Sequence, residues 1–124
     1  MKTLSPVRSE GVERVLVSAK FRPQGAGVPI QDSGVGSLTV VRNGSAGEYL
    51  ITFAENYGLL VSAQATIQMA AATDVVPQFA TYSATARTII LRALAAAVPT
   101  DIAANANNSI SVAFEFTTTN VNPR

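Results

Sequence analysis

The segment from Leu38 to Phe53 constrains the fold more than any other part of the chain. Leu38–Arg42 and Glu48–Phe53 are short runs rich in β-branched, aliphatic and aromatic residues, and they flank Asn43-Gly44-Ser45-Ala46-Gly47. Asn and Gly supply the positive φ that a tight reversal requires, so Asn43 and Gly44 are both expected there and the two runs are expected to pair as a hairpin. Tyr49, Ile51 and Phe53 fall on one face, because successive side chains of a strand point to opposite sides. That face has to be buried against a second layer.

The same alternation recurs along the chain. From Val12 to Phe21, Val15, Val17, Ala19 and Phe21 share one face, while Arg14, Ser18 and Lys20 share the other. From Leu59 to Met69, Leu59, Val61, Ala63, Ala65, Ile67 and Met69 oppose Ser62, Gln64, Thr66 and Gln68. A strand of that length is expected to bend or carry a bulge. Ile110, Val112, Phe114 and Phe116 alternate with Ser111, Ala113, Glu115 and Thr117 in a closing strand. Tyr49, Ile51, Phe53, Ile110, Val112, Phe114 and Phe116 hold most of the large apolar volume and are the expected core.

Between these runs the punctuation is uneven. Residues 22–36 contain Pro23, Gly25, Gly27, Pro29, Gly34 and Gly36, which predicts a long connection crossing between sheets. Residues 87–98 satisfy helical and strand spacing alike, through Ile89, Ile90, Leu91, Leu94 and Ala95-Ala96-Ala97. The β-branched run Thr88-Ile89-Ile90 and the β-rich surroundings favour a strand ending near Leu94 over a helix. Residues 99–108 read as a polar loop. Short strands separated by turn signals predict an all-β antiparallel sandwich or jelly roll over residues 12–117. An extended N-terminal arm, 1–11, and a C-terminal tail, 118–124, flank it.

A chain of 124 residues has room for one domain. Its apolar share of 48% leans on Ala and Val and includes no Trp, so the core is expected to be thin and partner subunits to cover what it leaves exposed. The net charge is +1, and the nine basic residues are scattered from Lys2 to Arg124 without forming the stripe that nucleic acid requires. Residues 1–9 contain no apolar core of a secretory signal, and the apolar stretch at 88–98 is broken by Arg92 and too short to cross a bilayer. Cys is absent, which excludes disulfides and thiolate metal sites and fits synthesis in a reducing cytoplasm. The expectation is a soluble protein without nucleic-acid or membrane partners.

Catalytic chemistry finds few carriers. His and Cys are missing, and the eight acids are dispersed without a recognisable motif, so an enzyme is not expected. Gly25-x-Gly27 and Gly34-x-Gly36 lack the third glycine, the following helix and the lysine of a phosphate cradle, and read as turns. Asp101, Asn105, Asn107 and Asn108 could offer oxygens to Ca²⁺, but they miss the EF-hand spacing and carry one charge, so an Asx-rich loop is favoured. The sequons at Asn43 and Asn107 matter only in a glycosylating secretory pathway. No catalytic residue, metal or cofactor is assigned.

Binding is the better-supported class. The segments 88–94 and 74–82 carry apolar residues on both faces, whereas an antiparallel strand in a two-layer domain normally keeps one face wet. Either these faces are contact surfaces or the core is locally three-layered. The arm lacks sustained periodicity, and Pro6, Val7, Arg8 and Glu10 are its candidate partner-binding residues. An extended backbone of this kind can add to a sheet edge while Arg8 pairs with acidic groups.

The run Gly36 to Phe53, in which a strand ending at Arg42 turns through a Gly-containing loop into Gly47-Glu48-Tyr49-Leu50-Ile51-Thr52-Phe53, resembles a pattern in small structural proteins of tailed bacteriophages. The strand Leu59 to Met69 and the closing Asn107 to Phe114 are similar in character and order, so the likeness spans residues 21–116. The resemblance implies a jelly-roll-like homotrimer on the capsid surface of a virion, a decoration or cement protein bound to the major capsid protein. A fibre or receptor-binding module is the alternative, and a small hydrolase-type enzyme a more remote one.

Overall fold

The computed structural model describes residues 14–118. Nine strands and no helix make up this part of the chain. They are β1 (Arg14–Gln24), β2 (Gly27–Ser33), β3 (Leu38–Arg42), β4 (Glu48–Phe53), β5 (Leu59–Gln68), β6 (Val76–Ser83), β7 (Thr88–Ala95), β8 (Val98–Pro99) and β9 (Ser109–Thr117). Two antiparallel sheets pack face to face: sheet A in the order β2-β1-β9-β5, and sheet B in the order β3-β4-β7-β6 with the two-residue β8 beside β7. The expected all-β antiparallel sandwich is therefore the observed architecture. The first and last strands lie side by side in the middle of sheet A.

The alternation read from the sequence places the core. Phe21, Tyr49, Ile51, Phe53, Ile110, Val112, Phe114 and Phe116 are all buried between the sheets. Phe53 of sheet B stands edge-on to Phe114 and Phe116 of sheet A, with ring centroids 4.9 and 5.1 Å apart. Each such ring contributes roughly 1.5–3 kcal/mol of burial and a further ~0.5–1.5 kcal/mol from edge-to-face geometry. The β3–β4 hairpin forms in the expected register, Leu38 opposite Phe53 and Arg42 opposite Tyr49.

Three expectations need correction. The residues between 22 and 36 are not a single long crossover. β1 continues to Gln24 and β2 pairs back along it, with one register shift at Asp32 and another across Pro23 and Pro29. An edge strand tolerates Pro29, whose missing N–H costs no ladder bond when it faces outward. In β5 the extra residue at Val61 shifts the phase between Leu60 and Ser62, so Leu60, not Leu59 or Val61, points inward. Leu59 and Val61 are consequently 63% and 48% exposed. In the β3–β4 turn Gly44 has positive φ but Asn43 does not. The favoured reading of residues 87–98 holds: they are strand without helix, β7 running to Ala95 and reversing into β8 through Ala96 and Ala97, both at positive φ.

The two ends of the sandwich differ. At one end the described chain enters and leaves: Arg14 lies opposite Thr117, whose other neighbour is Leu59 at the start of β5. There the connections are tied by Phe53 N–H donating to Arg87 O and Ala54 N–H donating to Ser37 O. The opposite end carries the β1–β2, β3–β4 and β7–β8 turns and the 100–108 loop, joined by Gly25 N–H donating to Ile102 O.

Candidate interaction surface

The outer face of sheet B carries a continuous apolar row. Val41 pairs with Leu50, Leu50 with Ile90 and Ile90 with Ala80, so one apolar row crosses all four strands. At ordinary strand spacing it is roughly 14 Å long. On one side lies a row of Thr39, Thr52 and Thr88; on the other, Glu48, Arg92 and Gln78. Beyond that polar row the surface turns apolar again at Val76, Leu94 and Pro99. Val41 and Val76 are 44 and 52% exposed. The outer face of sheet A is mixed: Leu16 of β1 and Val28 and Ile30 of β2 are 73, 74 and 44% exposed. Its open groove of about 340 Å³ is lined by Ser18, Lys20, Ser33, Gln64, Thr66 and Ser111 among others.

The two-sided apolar character of β6 and β7 thus reflects an uncovered sheet face: among the described residues no third layer packs on it. Val41 and Leu50 complete the row, although neither was singled out from the sequence. Their signal was present in the uninterrupted apolar pairs Val40-Val41 and Leu50-Ile51, in which one residue of each pair has to face outward.

Charged groups sit at the margin of this face and at the turn-bearing end. Arg92 Nε donates to Glu48 Oε2 at 3.0 Å, and Asn43 Nδ2 donates to Glu48 Oε1 at 3.1 Å. Both bonds hold the Glu48 carboxyl below its usual range. Arg42 donates through Nε to Asp101 Oδ1 at 3.0 Å and through Nη2 to Asp101 Oδ2 at 2.8 Å. Asp101 Oδ1 also accepts from Gly47 N–H at 2.8 Å. Bonding to Arg42 depresses the Asp101 carboxyl and raises the guanidinium of Arg42. Beneath this pair Tyr49 is fully buried against Phe21, ring centroids 5.3 Å apart. Its hydroxyl makes no well-formed hydrogen bond, the backbone of Ile102 offering only a weak one, and burial, followed by the nearby Asp101 charge, pushes its pKa up to about 12.

These groups tie the fold together. The Asx-rich loop uses its own oxygens: Asn105 Oδ1 accepts from Asn107 N–H, and Asn108 Oδ1 accepts from Ala70 N–H. Asn108 Nδ2 donates to Ala103 O, so the buried Asn108 pins the loop to the end of β5. Among the described residues no group of three or more His, Cys, Asp or Glu is placed to hold a metal ion. The arm residues Pro6, Val7, Arg8 and Glu10 lie outside the described residues. Comparison with protein-family models, curated proteins and solved structures finds no match to this chain.

Proposed function

We propose that this chain is a non-enzymatic structural protein of a virion, a decoration or cement protein that joins the capsid surface as a homotrimer and contacts the major capsid protein. The observation that carries an assembly role is the apolar row Val41–Leu50–Ile90–Ala80 on the uncovered face of sheet B. A solvated outer face in an antiparallel sandwich is normally polar, and an exposed apolar patch of this kind marks a contact. The virion assignment rests on the resemblance of residues 36–53 to phage structural proteins. The fibre-tip alternative is less well supported, since the groove on sheet A has no aromatic side chain in its lining on which a sugar could stack.

Sedimentation equilibrium tests the assembly. The parent is expected to be a trimer at micromolar concentration, and Leu50→Ser with Ile90→Ser is expected to shift it toward monomer while keeping its β-sheet circular dichroism. A parent that is monomeric at micromolar concentration would refute the self-assembling reading. Cryo-EM of virions that carry the protein tests the location.

A further inference from the structure

Four strands border the two sheets, and three have ends or interruptions that discourage a further strand. β2 contains Pro29 and Asp32 and two register shifts, β3 is five residues long, and β6 contains Pro77 and a register shift beside Thr81, which has positive φ. These are the usual protections of a sheet edge. β5 has one irregularity, at its start, and from Ser62 to Gln68 it runs in unbroken register with β9, without proline, glycine or charge. Among the described residues β5 pairs with β9 alone. Its inward side chains Ala63, Ala65 and Ile67 are only half-buried and pack at the margin of the core with Phe79 of β6. The small alanines leave that margin thin, so an added strand would cover it with alternate side chains.

We propose that the Ser62–Gln68 edge of β5 receives an extended strand from residues 1–13 of a second copy of this chain. The inference rests on the self-assembling reading above and specifies one of its contacts. The described chain begins at Arg14, on the same cross-strand row as Leu59 at the start of β5. The thirteen residues that precede it span at most about 45 Å. Seven residues match the edge, about 23 Å, and the remainder bridge between copies over about 20 Å. To reach the β5 edge of its own copy the segment would have to turn back over the end of β9, across the point where the chain continues into residues 119–124. Connections avoid crossing at one end of a sheet. Continuing the line of β1 outward leads away from its own sandwich instead. Main-chain hydrogen bonds supply the attachment, and an edge strand of uncharged side chains imposes no charge requirement on the guest.

The absence of Cys makes the test direct. Pro6→Cys or Val7→Cys is combined in the full chain with Gln64→Cys or Ala65→Cys, so that both faces of the pleat are sampled, and the protein is oxidised and run on non-reducing gels. At least one pair is expected to link most of the protein into covalent trimers. A fast-migrating, internally linked monomer would overturn the proposal in favour of the chain's own edge, and failure of all four pairs to link would overturn it outright. Sedimentation of the cysteine-free parent separates the two readings: a trimeric parent without cross-links removes only the strand exchange, whereas a monomeric parent removes the self-assembly beneath it.

Discussion

Asp101 grips Arg42 through two hydrogen bonds while accepting a third from Gly47 N–H, so one carboxylate joins the loop after β8 to both sides of the β3–β4 turn. The loop in turn drops Ile102 into the core and supplies the carbonyl that receives Gly25 N–H. The end of the sandwich opposite Arg14 and Thr117 is therefore closed by a polar clasp whose members come from three separate turns and loops.

The clasp predicts an acid-sensitive end. Asp101 and Glu48 both have lowered pKa values in the folded protein, through Arg42 and Arg92 respectively. Their stabilisation is complete above the unfolded-state values near 4 and is lost as pH falls through the lower folded values. Thermal melting followed by circular dichroism should show a midpoint that declines below about pH 4. Asp101→Asn combined with Glu48→Gln should lower the midpoint at pH 7 and flatten that decline. An equally steep decline in the double variant would assign the acid sensitivity to other carboxylates.

Two glycines of the same turn should respond very differently. Gly44 has φ +82° with open space around it, so Gly44→Val costs backbone strain alone, about 1 kcal/mol. Gly47 has φ +66°, and a Cβ there would meet Thr100 N at 2.5 Å, Thr100 O at 2.7 Å and Ala93 O at 2.8 Å. Gly47→Ala has to displace the backbone after β8 as well, and roughly 3 kcal/mol or more is expected. Urea unfolding of the two variants measures the difference, and equal losses would show that the backbone near Thr100 yields freely.

Tyr49→Phe is expected to be neutral or to stabilise the protein by about 1 kcal/mol, because it removes a buried hydroxyl without a well-formed hydrogen bond. The ring contact with Phe21 survives the change. A loss of more than about 1 kcal/mol in urea unfolding would mean that the hydroxyl is satisfied in solution.

The parts of the fold that were legible in the sequence are those in which side-chain pattern and backbone agree. The β3–β4 hairpin, β1 and β9 each alternate cleanly, and their inward residues are the buried ones. β2 was hidden because Gly27 and Pro29 are statistically turn residues, and only its place at an edge makes them acceptable in a strand. The phase of β5 depended on an extra residue at Val61, and nothing in an alternating sequence marks where a bulge falls. Ala96 and Ala97 occupy positive φ without the Gly or Asn that would announce a tight turn. For the candidate surface, the two-sided strands β6 and β7 gave the location, but its extent required the cross-strand register that brings Val41 and Leu50 into line with Ile90.

Because β1 begins and β9 ends on the same cross-strand row, the two exits from the described fold lie one strand apart at a single end. A pull applied through both exits would act across the β1–β9 ladder at its terminal rung, and the bonds would bear the load one after another instead of together. Such a sandwich is mechanically soft along that line, however well its core is packed. An assembly that has to hold under internal pressure would need to anchor each copy by its faces and edges, with the tension kept off this pair of exits.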